Sequence, residues 1–183
     1  LVTHHWGGNR MKGFDVYARL DAMMAEPAWK GRIAFTYVGN MPPGVTFANA
    51  RHVAPLDGTA LADELRSHHA YITASVNEPA GMHHVEGALS GLPLLYRNSG
   101  ALPEYCTGFG EAFEPDTLEP ALENLIAAYP ALHAHMPNYS NTAARMCVRY
   151  IEVFENLVER RAEIVAARRL WRNPLLFALN QIP

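Results

Sequence analysis

Short apolar runs alternate with amphipathic stretches along most of this chain, and each kind of segment predicts a different element. The apolar runs predict strands at 1–6, 33–38, 51–56, 70–75, 94–97 and 111–113. Apolar residues at helical spacing predict helices over 13–25, 60–67, 117–129 and, as one long amphipathic helix, 141–169. Because Pro130 follows the third of these helices, His133 and His135 are predicted to lie in a loop.

Strands that alternate with helices favour parallel β-α-β units, which wind right-handed into one sheet with helices on both faces. The sequence therefore predicts an α/β, Rossmann-like parallel sheet, whose ligands bind at the carboxyl ends of the strands. A chain of 183 residues has the length of one domain, predicted over 1–170. The stretch 171–183 follows a break at Asn173-Pro174 and is too apolar to be a free tail.

The charge balance narrows the classes of partner. The net charge of −3 and the pI near 6.3 argue against a nucleic-acid-binding surface. No apolar stretch approaches the roughly 20 residues of a membrane span, so membrane association is not indicated. Cys106 and Cys147 are expected to be reduced thiols, which predicts a cytoplasmic protein.

Two glutamates, Glu78 and Glu86, stand seven residues apart in the segment that follows the fourth predicted strand. Pro79 suits the first position of a helix, so Glu78 is predicted on the loop at a helix N-terminus. Glu86 then lies about two turns further, on the order of 10 Å away. Carboxyl pairs that cleave one glycosidic bond flank it at roughly 5–10 Å, which this arrangement does not naturally provide. The two carboxylates are therefore interpreted as two contacts to a longer ligand.

The run from Asn77 to Pro93 resembles the Glu-x7-Glu signature of retaining nucleotide-sugar glycosyltransferases, the group-1 (GT4) family with the GT-B architecture. Lys12-Gly13, after the first strand, and the segment 98–104, after the fifth, agree with that family in order. The resemblance covers nearly the whole chain but only half of such an enzyme, because the family's N-terminal acceptor domain is absent. It implies that 171–183 crosses to that missing domain.

The resemblance implies a nucleotide-sugar as substrate, linked to UDP, GDP or ADP, a hexosyl group as the transferred unit, and no cofactor. It assigns Glu78, as the catalytic residue, to the sugar hydroxyls and Glu86 to the ribose hydroxyls. Carboxylates accept strong hydrogen bonds from vicinal hydroxyls, which makes both assignments chemically reasonable. The backbone N–H groups of Gly81, Met82 and His83 are expected to face the sugar or the diphosphate.

Two further regions are expected close to the donor. Ser99 and Gly100 stand where the family has a loop after the fifth strand. Contacts to the base are expected from the main chain near Gly39 and Val53, at the ends of the second and third strands.

The loop from Gly7 to Gly13 carries two cations, Arg10 and Lys12, and leads into the first predicted helix. Cations and the N–H groups of a helix start suit a nucleoside diphosphate. The family usually has an arginine five or six residues before this lysine, where this chain has Trp6 or Gly7, so Arg10 is the candidate replacement. The loop matches neither the P-loop nor the dinucleotide-binding glycine pattern.

The nine histidines raise the question of a metal site. His83 and Glu86 form His-x-x-Glu, but the second histidine of a zincin helix is missing. His4–His5 and His68–His69 are adjacent on or next to strands, so their side chains point to opposite faces and cannot chelate one ion. The prediction is metal-independent chemistry, with the diphosphate neutralised by lysine and backbone dipoles.

Two other functions stay open at the level of sequence. The chain could be a stand-alone module that binds a nucleotide or a phosphosugar, like a UDP-sugar epimerase domain, which shares the GT-B fold. It could also be a scaffold that keeps the fold without chemistry. A glycine-rich N-terminal domain with a catalytic histidine, encoded upstream, would favour the glycosyltransferase, and failure to bind any nucleotide would favour the scaffold.

Overall fold

The structure is a computed structural model that describes residues 1–168 and 174–179. The chain divides into two compact units, one of residues 1–140 and one of residues 141–183. The predicted domain boundary at residue 170 stays a prediction. The first unit contains all the predicted donor-site residues.

The first unit is built on a sheet of six parallel strands. The strands are β1 (Val2–His5), β2 (Thr36–Gly39), β3 (Arg51–Val53), β4 (Tyr71–Thr73), β5 (Leu94–Arg97) and β6 (Gly110–Phe113). Their order is β3-β2-β1-β4-β5-β6, and Val2 of β1 pairs with both Thr36 and Tyr71. The chain leaves β1 toward one edge and returns at β4, so the switch point of this doubly wound sheet lies between β1 and β4.

Helices follow most of the strands. The first unit contains α1 (Phe14–Met23), α2 (Gly58–Arg66), α3 (His83–Leu89), α4 (Leu102–Cys106) and α5 (Leu118–His135). It also has two 3-10 turns, Arg10–Lys12 and Met136–Asn138. The second unit contains α6 (Ala143–Glu159), α7 (Arg161–Ala167) and α8 (Pro174–Leu179).

Each face of the sheet buries its own apolar cluster, because successive strand side chains point to opposite faces. Leu95 packs with residues of α1 and α5, whereas its neighbour Leu94 packs with residues of α2, α3 and α4. The largest fully buried side chains include Tyr17, Tyr37 and Tyr71. The predicted α/β fold, with a parallel sheet and helices on both faces, is confirmed.

The helix that carries Glu86 begins later than predicted. Pro79 does not open it; α3 starts at His83, with Met82 as its N-cap residue. The reason lies in the preceding residues, where Asn77 has a positive φ of 50° and the carbonyl of Glu78 accepts a hydrogen bond from the Ala101 N–H at 2.8 Å. This tie to the next loop holds the chain out of a helical path until residue 83.

Two other predicted helices differ from those in the structure, and one helix of the structure was not predicted. The helix α5 continues through Pro130 to His135, so this proline lies inside the helix, although it removes one N–H and crowds the carbonyl four residues earlier. The predicted helix over 141–169 is interrupted at Arg160, whose ψ of 9° departs from helical geometry and whose guanidinium pairs with Glu163. The short helix α4 was not predicted at all, since five residues show no periodicity.

The second unit begins with a capped helix. The Thr142 hydroxyl accepts the Arg145 N–H at 3.2 Å, and large apolar side chains of α6, such as Ile151, Phe154 and Val158, are exposed. Within the predicted crossing segment 171–183, only α8 is described, and the other residues lie outside the described part of the chain. Its crossing to another domain stays a prediction.

Two predictions from the sequence concern membrane-spanning segments and the state of the cysteines. None of their helices has both the length and the apolar character that a membrane span requires. Cys106 and Cys147 are not in a disulfide, the first being buried and the second exposed. Burial raises the pKa of the Cys106 thiol to about 12, so this thiol is unreactive at neutral pH.

Candidate functional site

The loop after β1 is fastened to the end of β4 at the switch point. The Val76 N–H donates to the Met11 carbonyl at 2.7 Å. Gly13, between the 3-10 turn and α1, has a φ of 79°, and a Cβ there would overlap the Ala74 carbonyl. Only glycine meets both conditions, so this residue lets the loop lie directly against β4.

Lys12 and Glu78 form an ion pair across this junction. The Lys12 Nζ lies 2.9 Å from the Glu78 Oε2, and the two side chains are 22% and 11% exposed. Solvent and salt screen such a pair less than one on an open surface. The structure therefore brings together the predicted phosphate cation and the predicted sugar carboxylate.

The loop after β5 makes hydrogen bonds to the backbone of Glu78 and of its neighbour Asn77. The Ser99 hydroxyl accepts the Asn77 N–H at 2.8 Å, and the Ala101 N–H donates to the Glu78 carbonyl. Gly100 has a φ of 59°, and a Cβ added there would come within 2.5 Å of the Glu78 carbonyl oxygen. Ser99 and Gly100, predicted near the donor, are thus found holding the backbone of Glu78.

The segment between Glu78 and α3 packs closely on the carboxylate. A Cβ on Gly81 would lie 2.7 Å from the Glu78 Cδ and 2.8 Å from the His83 ring. Met82 exposes its side chain, whereas His83 is buried and shares a hydrogen bond of 2.8 Å with the Thr73 hydroxyl. The His83 side chain therefore serves the packing of α3 on β4, a role that its sequence position does not reveal.

Glu86 has a partner from the first strand. The His4 Nε2 lies 2.7 Å from the Glu86 Oε2, and the Glu86 side chain is 50% exposed. The other ring nitrogen of His4 lies 3.1 Å from the Tyr71 hydroxyl, which also accepts the backbone N–H of His4 at 3.1 Å. The predicted ribose carboxylate is thus backed by a buried histidine and a buried tyrosine.

Two neutral imidazoles, those of His5 and His83, lie close to each other, and the His83 ring also lies near that of His4. His5 hydrogen-bonds the Tyr17 hydroxyl at 2.7 Å, and its ring lies 4.7 Å from that of His83, measured between centroids. Burial first, and then the charge of Lys12, lowers the pKa of His5 well below its usual value; burial and the neighbouring His5 do the same for His83. Both rings stay uncharged at neutral pH.

His84 is a residue whose environment the sequence did not predict. Its side chain is 1% exposed, and neither ring nitrogen has a hydrogen-bond partner in the part of the chain that the structure describes. The ring packs edge-on against Tyr105, 5.1 Å away between centroids. Burial lowers the pKa of His84 to about 4, against an opposing effect of Glu78.

The predicted base region, near Gly39 and Val53, lies at the ends of β2 and β3. The His52 Nε2–H donates to the Gly39 carbonyl at 2.8 Å, so that carbonyl is already engaged by a side chain. A small cleft there is lined by His4, His5, Trp6, Val38, Gly39, Pro55 and Leu56. Val53, which is half-buried, does not line it. His4 thus borders both this cleft and Glu86.

Arg10 stands apart from the contacts just described. It begins the 3-10 turn that ends at Lys12, and it is exposed. Its guanidinium makes none of the hydrogen bonds or ion pairs found among residues 1–168 and 174–179. The two cations of this loop therefore differ, since Lys12 is held by a carboxylate and Arg10 projects into solvent.

The described residues of the candidate site form no metal centre, and a cavity of the first unit lies away from them. Across the described chain, no group of three histidine, cysteine, aspartate or glutamate side chains is arranged to hold a metal ion. A cavity of about 450 Å³ opens at the other end of the sheet, lined by Thr36, His68, Leu122, Leu125 and Tyr129 among others. None of the predicted site residues borders that cavity.

Comparison with known proteins gives matches in structure rather than in sequence. No protein-family model matches the chain, and no curated protein matches it by sequence. The structure is similar to sucrose-phosphate synthase from Thermosynechococcus elongatus, with a TM-score of 0.60 at 18% identity over 85% of this chain and 45% of that one. It is similar to the pneumococcal O-GlcNAc transferase GtfA, with a TM-score of 0.64 at 13% identity over 86% and 35%.

A third match has nearly the same extent as this chain. The C-terminal domain of a glycosyl transferase group 1 family protein, LpcC from Francisella tularensis, aligns with a TM-score of 0.57 at 14% identity, over 75% of this chain and 80% of that one. The chain has the fold of a GT-B half-domain. This GT-B half-domain spans less than half the length of the two enzymes named first. Identities of 13–18% carry the likeness in fold alone.

Proposed function

We propose that this chain is the donor-binding half of a retaining glycosyltransferase, which transfers a hexosyl group from a nucleotide-sugar to an acceptor. The observation that carries the proposal is the pairing of Lys12 with Glu78 at the switch point between β1 and β4, with Glu86 on the adjoining helix α3. Ligands of doubly wound sheets bind in this crevice. The likeness in fold to several glycosyltransferases supports the same conclusion.

The Lys12–Glu78 pair suits the junction between a diphosphate and a sugar. In the structure the two side chains neutralise each other. When a nucleotide-sugar binds, the Lys12 ammonium can donate to a phosphate oxygen while Glu78 accepts from a sugar hydroxyl beside it. The exposed Arg10 on the same loop is the second cation available to the diphosphate.

We assign the nucleoside part of the nucleotide-sugar to Glu86 and to the cleft beside His4. Glu86 accepts from the ribose hydroxyls, and the base lies over the small cleft that contains Gly39 and Trp6. His4 contacts Glu86 and also lines that cleft, so ribose and base would be neighbours, as they are in a nucleotide. One of the similar structures, the GtfA transferase, is described as a complex with UDP and GlcNAc.

In this proposal the chain stabilises the nucleoside diphosphate as it leaves the sugar. Departure of a nucleoside diphosphate leaves negative charge on the phosphate, and a half-buried ammonium at that point stabilises the transition state more than it would in water. Glu78 holds the sugar in place and is the catalytic residue proposed on this side of the reaction. A separate N-terminal domain supplies the acceptor, and neither a cofactor nor a metal ion is included.

Calorimetry and a transfer assay test the proposal together. We expect the chain to bind one of UDP, GDP and ADP, to bind the corresponding nucleotide-sugar more tightly, and to transfer no sugar by itself. Binding of none of the three nucleotides would favour the scaffold over the enzyme. Equal affinity for nucleotide and nucleotide-sugar would favour a nucleotide-binding module, and turnover by this chain alone would contradict the assignment of half an enzyme.

A further inference from the structure

The carboxylate of Glu86 has an unusual degree of support for a half-exposed helix residue. Exposed glutamates sample several rotamers, since a long side chain loses entropy when it is held in one. Here the Glu86 Oε2 lies 2.7 Å from the His4 Nε2, and the His4 side chain is almost fully buried. The contact joins β1 to α3 over 82 residues of sequence.

Behind His4 lies a tyrosine that is completely buried. The Tyr71 hydroxyl accepts the backbone N–H of His4 at 3.1 Å, so its own hydrogen is available to another acceptor. The His4 Nδ1 lies 3.1 Å away, and the alternative, the His4 carbonyl, lies at 3.4 Å. Burial raises the pKa of Tyr71 well above its usual value, so the hydroxyl keeps that hydrogen.

These contacts select one tautomer of His4. A hydroxyl that donates to Nδ1 requires a lone pair there, which leaves the proton on Nε2, directed at Glu86. Gly87 strengthens the arrangement, because any side chain at that position would overlap the Tyr71 ring on which α3 rests. In this tautomer Tyr71, His4 and Glu86 form a chain of hydrogen bonds that all run in one direction.

We propose that His4 is a positioning residue, which Tyr71 holds as the Nε2–H tautomer so that His4 orients the Glu86 carboxylate toward a vicinal diol. His4 occupies one lone pair of that carboxylate, and the remaining acceptor sites are half exposed and free to receive two adjacent hydroxyls. The identity of the diol as a ribose rests on the proposed function. The tautomer and the orientation of Glu86 do not.

Nitrogen-15 NMR of the imidazole rings tests the tautomer without any ligand. At pH 7.5 we expect the His4 Nε2 to carry the proton and the Nδ1 to be bare. In Tyr71→Phe the preference for that tautomer should be lost, whereas Tyr96→Phe, which changes another buried tyrosine on the same face, should leave it intact. A proton on the His4 Nδ1 in the unmodified protein would overturn the proposal.

Paired nucleotides test the orientation of Glu86. Each of UDP, GDP and ADP is compared with its 2′,3′-dideoxy form, and loss of both hydroxyls is expected to weaken binding about tenfold to a hundredfold. In His4→Leu this ratio should fall to about threefold or less. His4→Gln, whose amide can still donate to Glu86, should restore most of it, which a merely structural role for His4 would not predict.

Glu86→Gln provides a variant whose folding is not in question, because the side chain is half exposed. It should reduce the dideoxy ratio as His4→Leu does, and the double variant should reduce it no further. An unchanged ratio in His4→Leu would refute the positioning role, whatever Glu86→Gln does. If none of the three nucleotides binds, the proposed function fails, and the NMR result alone decides whether the chain of hydrogen bonds exists.

Discussion

At the scale of single residues, the structure changes what Lys12 is expected to do. The sequence predicts that the Lys12 ammonium binds a phosphate. In the structure its Nζ is paired with the Glu78 Oε2 at 2.9 Å. The pair avoids the cost of leaving either half-buried charge without a partner. A diphosphate would therefore have to compete with Glu78 for the ammonium, and sugar binding to Glu78 would make that exchange easier.

Replacement of Lys12 by methionine tests the phosphate contact. Lys12→Met should weaken the affinity for the preferred nucleoside diphosphate roughly tenfold to a hundredfold, since one charge-assisted contact of about 1.5–3 kcal/mol is lost. Affinity for the nucleoside without phosphates should not change. Lys30→Met, at an exposed position after α1, serves as the control in calorimetry. Equal diphosphate affinity in the Lys12 variant and the unmodified chain would assign Lys12 a purely structural role.

Gly100 allows a test of the support beneath Glu78. In Gly100→Ala a new methyl group would meet the Glu78 backbone, and the positive φ would add strain of about 1–3 kcal/mol. The control Gly91→Ala has a φ of 88° but nothing within 4 Å of the new carbon, so it carries the strain without the collision. We expect a greater loss of unfolding free energy and of nucleotide-sugar affinity in the first variant. Similar losses in both would mean that Gly100 matters only for its φ.

At the scale of elements, β1 and α3 meet through buried imidazoles rather than through aliphatic side chains alone. His5 belongs to β1, and His83 and His84 open α3. Burial is the first cause of the lowered pKa of each. Because an unfolded chain takes up protons at the ordinary histidine pKa near 6.5, the junction of these elements should be sensitive to acid.

The free energy of unfolding should therefore fall as the pH is lowered below about 6.5. Between that value and the lowered pKa values, the unfolded chain binds more protons at these histidines than the folded one, so the stability that the histidines contribute rises with pH and is fully present above 6.5. Each such histidine adds a slope of at most about 1.4 kcal/mol per pH unit. Urea unfolding at pH 5, 6 and 7.5 measures this pH dependence of the free energy of unfolding.

His84→Leu should flatten this pH dependence. The variant removes one buried titrating group, and stability at pH 7.5 should hold or increase, because the imidazole has no hydrogen-bond partner among the described residues. His133→Leu, on the exposed side of α5, is the matched control and should leave the slope unchanged. An unaltered slope in His84→Leu would mean that the His84 ring is hydrated and titrates normally.

At the scale of the whole molecule, the buried core belongs to the first unit. Both apolar clusters are made entirely of residues up to Tyr139, and they include Met136 of the 3-10 turn after α5. No residue of α6 is buried. The sheet and the candidate site should therefore depend little on residues beyond Ser140.

Two truncated chains test this division. A chain ending at residue 140 should unfold cooperatively in urea, with a midpoint close to that of all 183 residues. A chain ending at residue 134 also loses Met136 and Tyr139 from the core, and it should be less stable by several kcal/mol, since removal of a buried methionine side chain alone costs about 2–5 kcal/mol. Aggregation or loss of cooperativity in the longer chain would show that the first unit needs the second.

The fold could be predicted because its signals are local and repeated. Each strand is a short apolar run and each long helix repeats its apolar residues, so all six strands were predicted within a few residues of their ends. The start of α3 and the interruption at Arg160 were not predicted. The start of α3 depends on hydrogen bonds such as that between Ala101 and Glu78, which a pattern of polar and apolar residues does not encode.

The sequence by itself determined the parallel α/β sheet, the ends of the strands at which polar loops gather, and the residue types available there. Only the tertiary structure decided which of them meet. Lys12 contacts Glu78, which is 66 residues away in sequence. His4 contacts Tyr71 and Glu86, which are 67 and 82 residues away in sequence. These contacts follow from the strand order, which sets β4 beside β1, and from the glycines that let loops touch. Periodicity specifies which face a side chain takes, but the neighbour across that face depends on how the whole chain is wound.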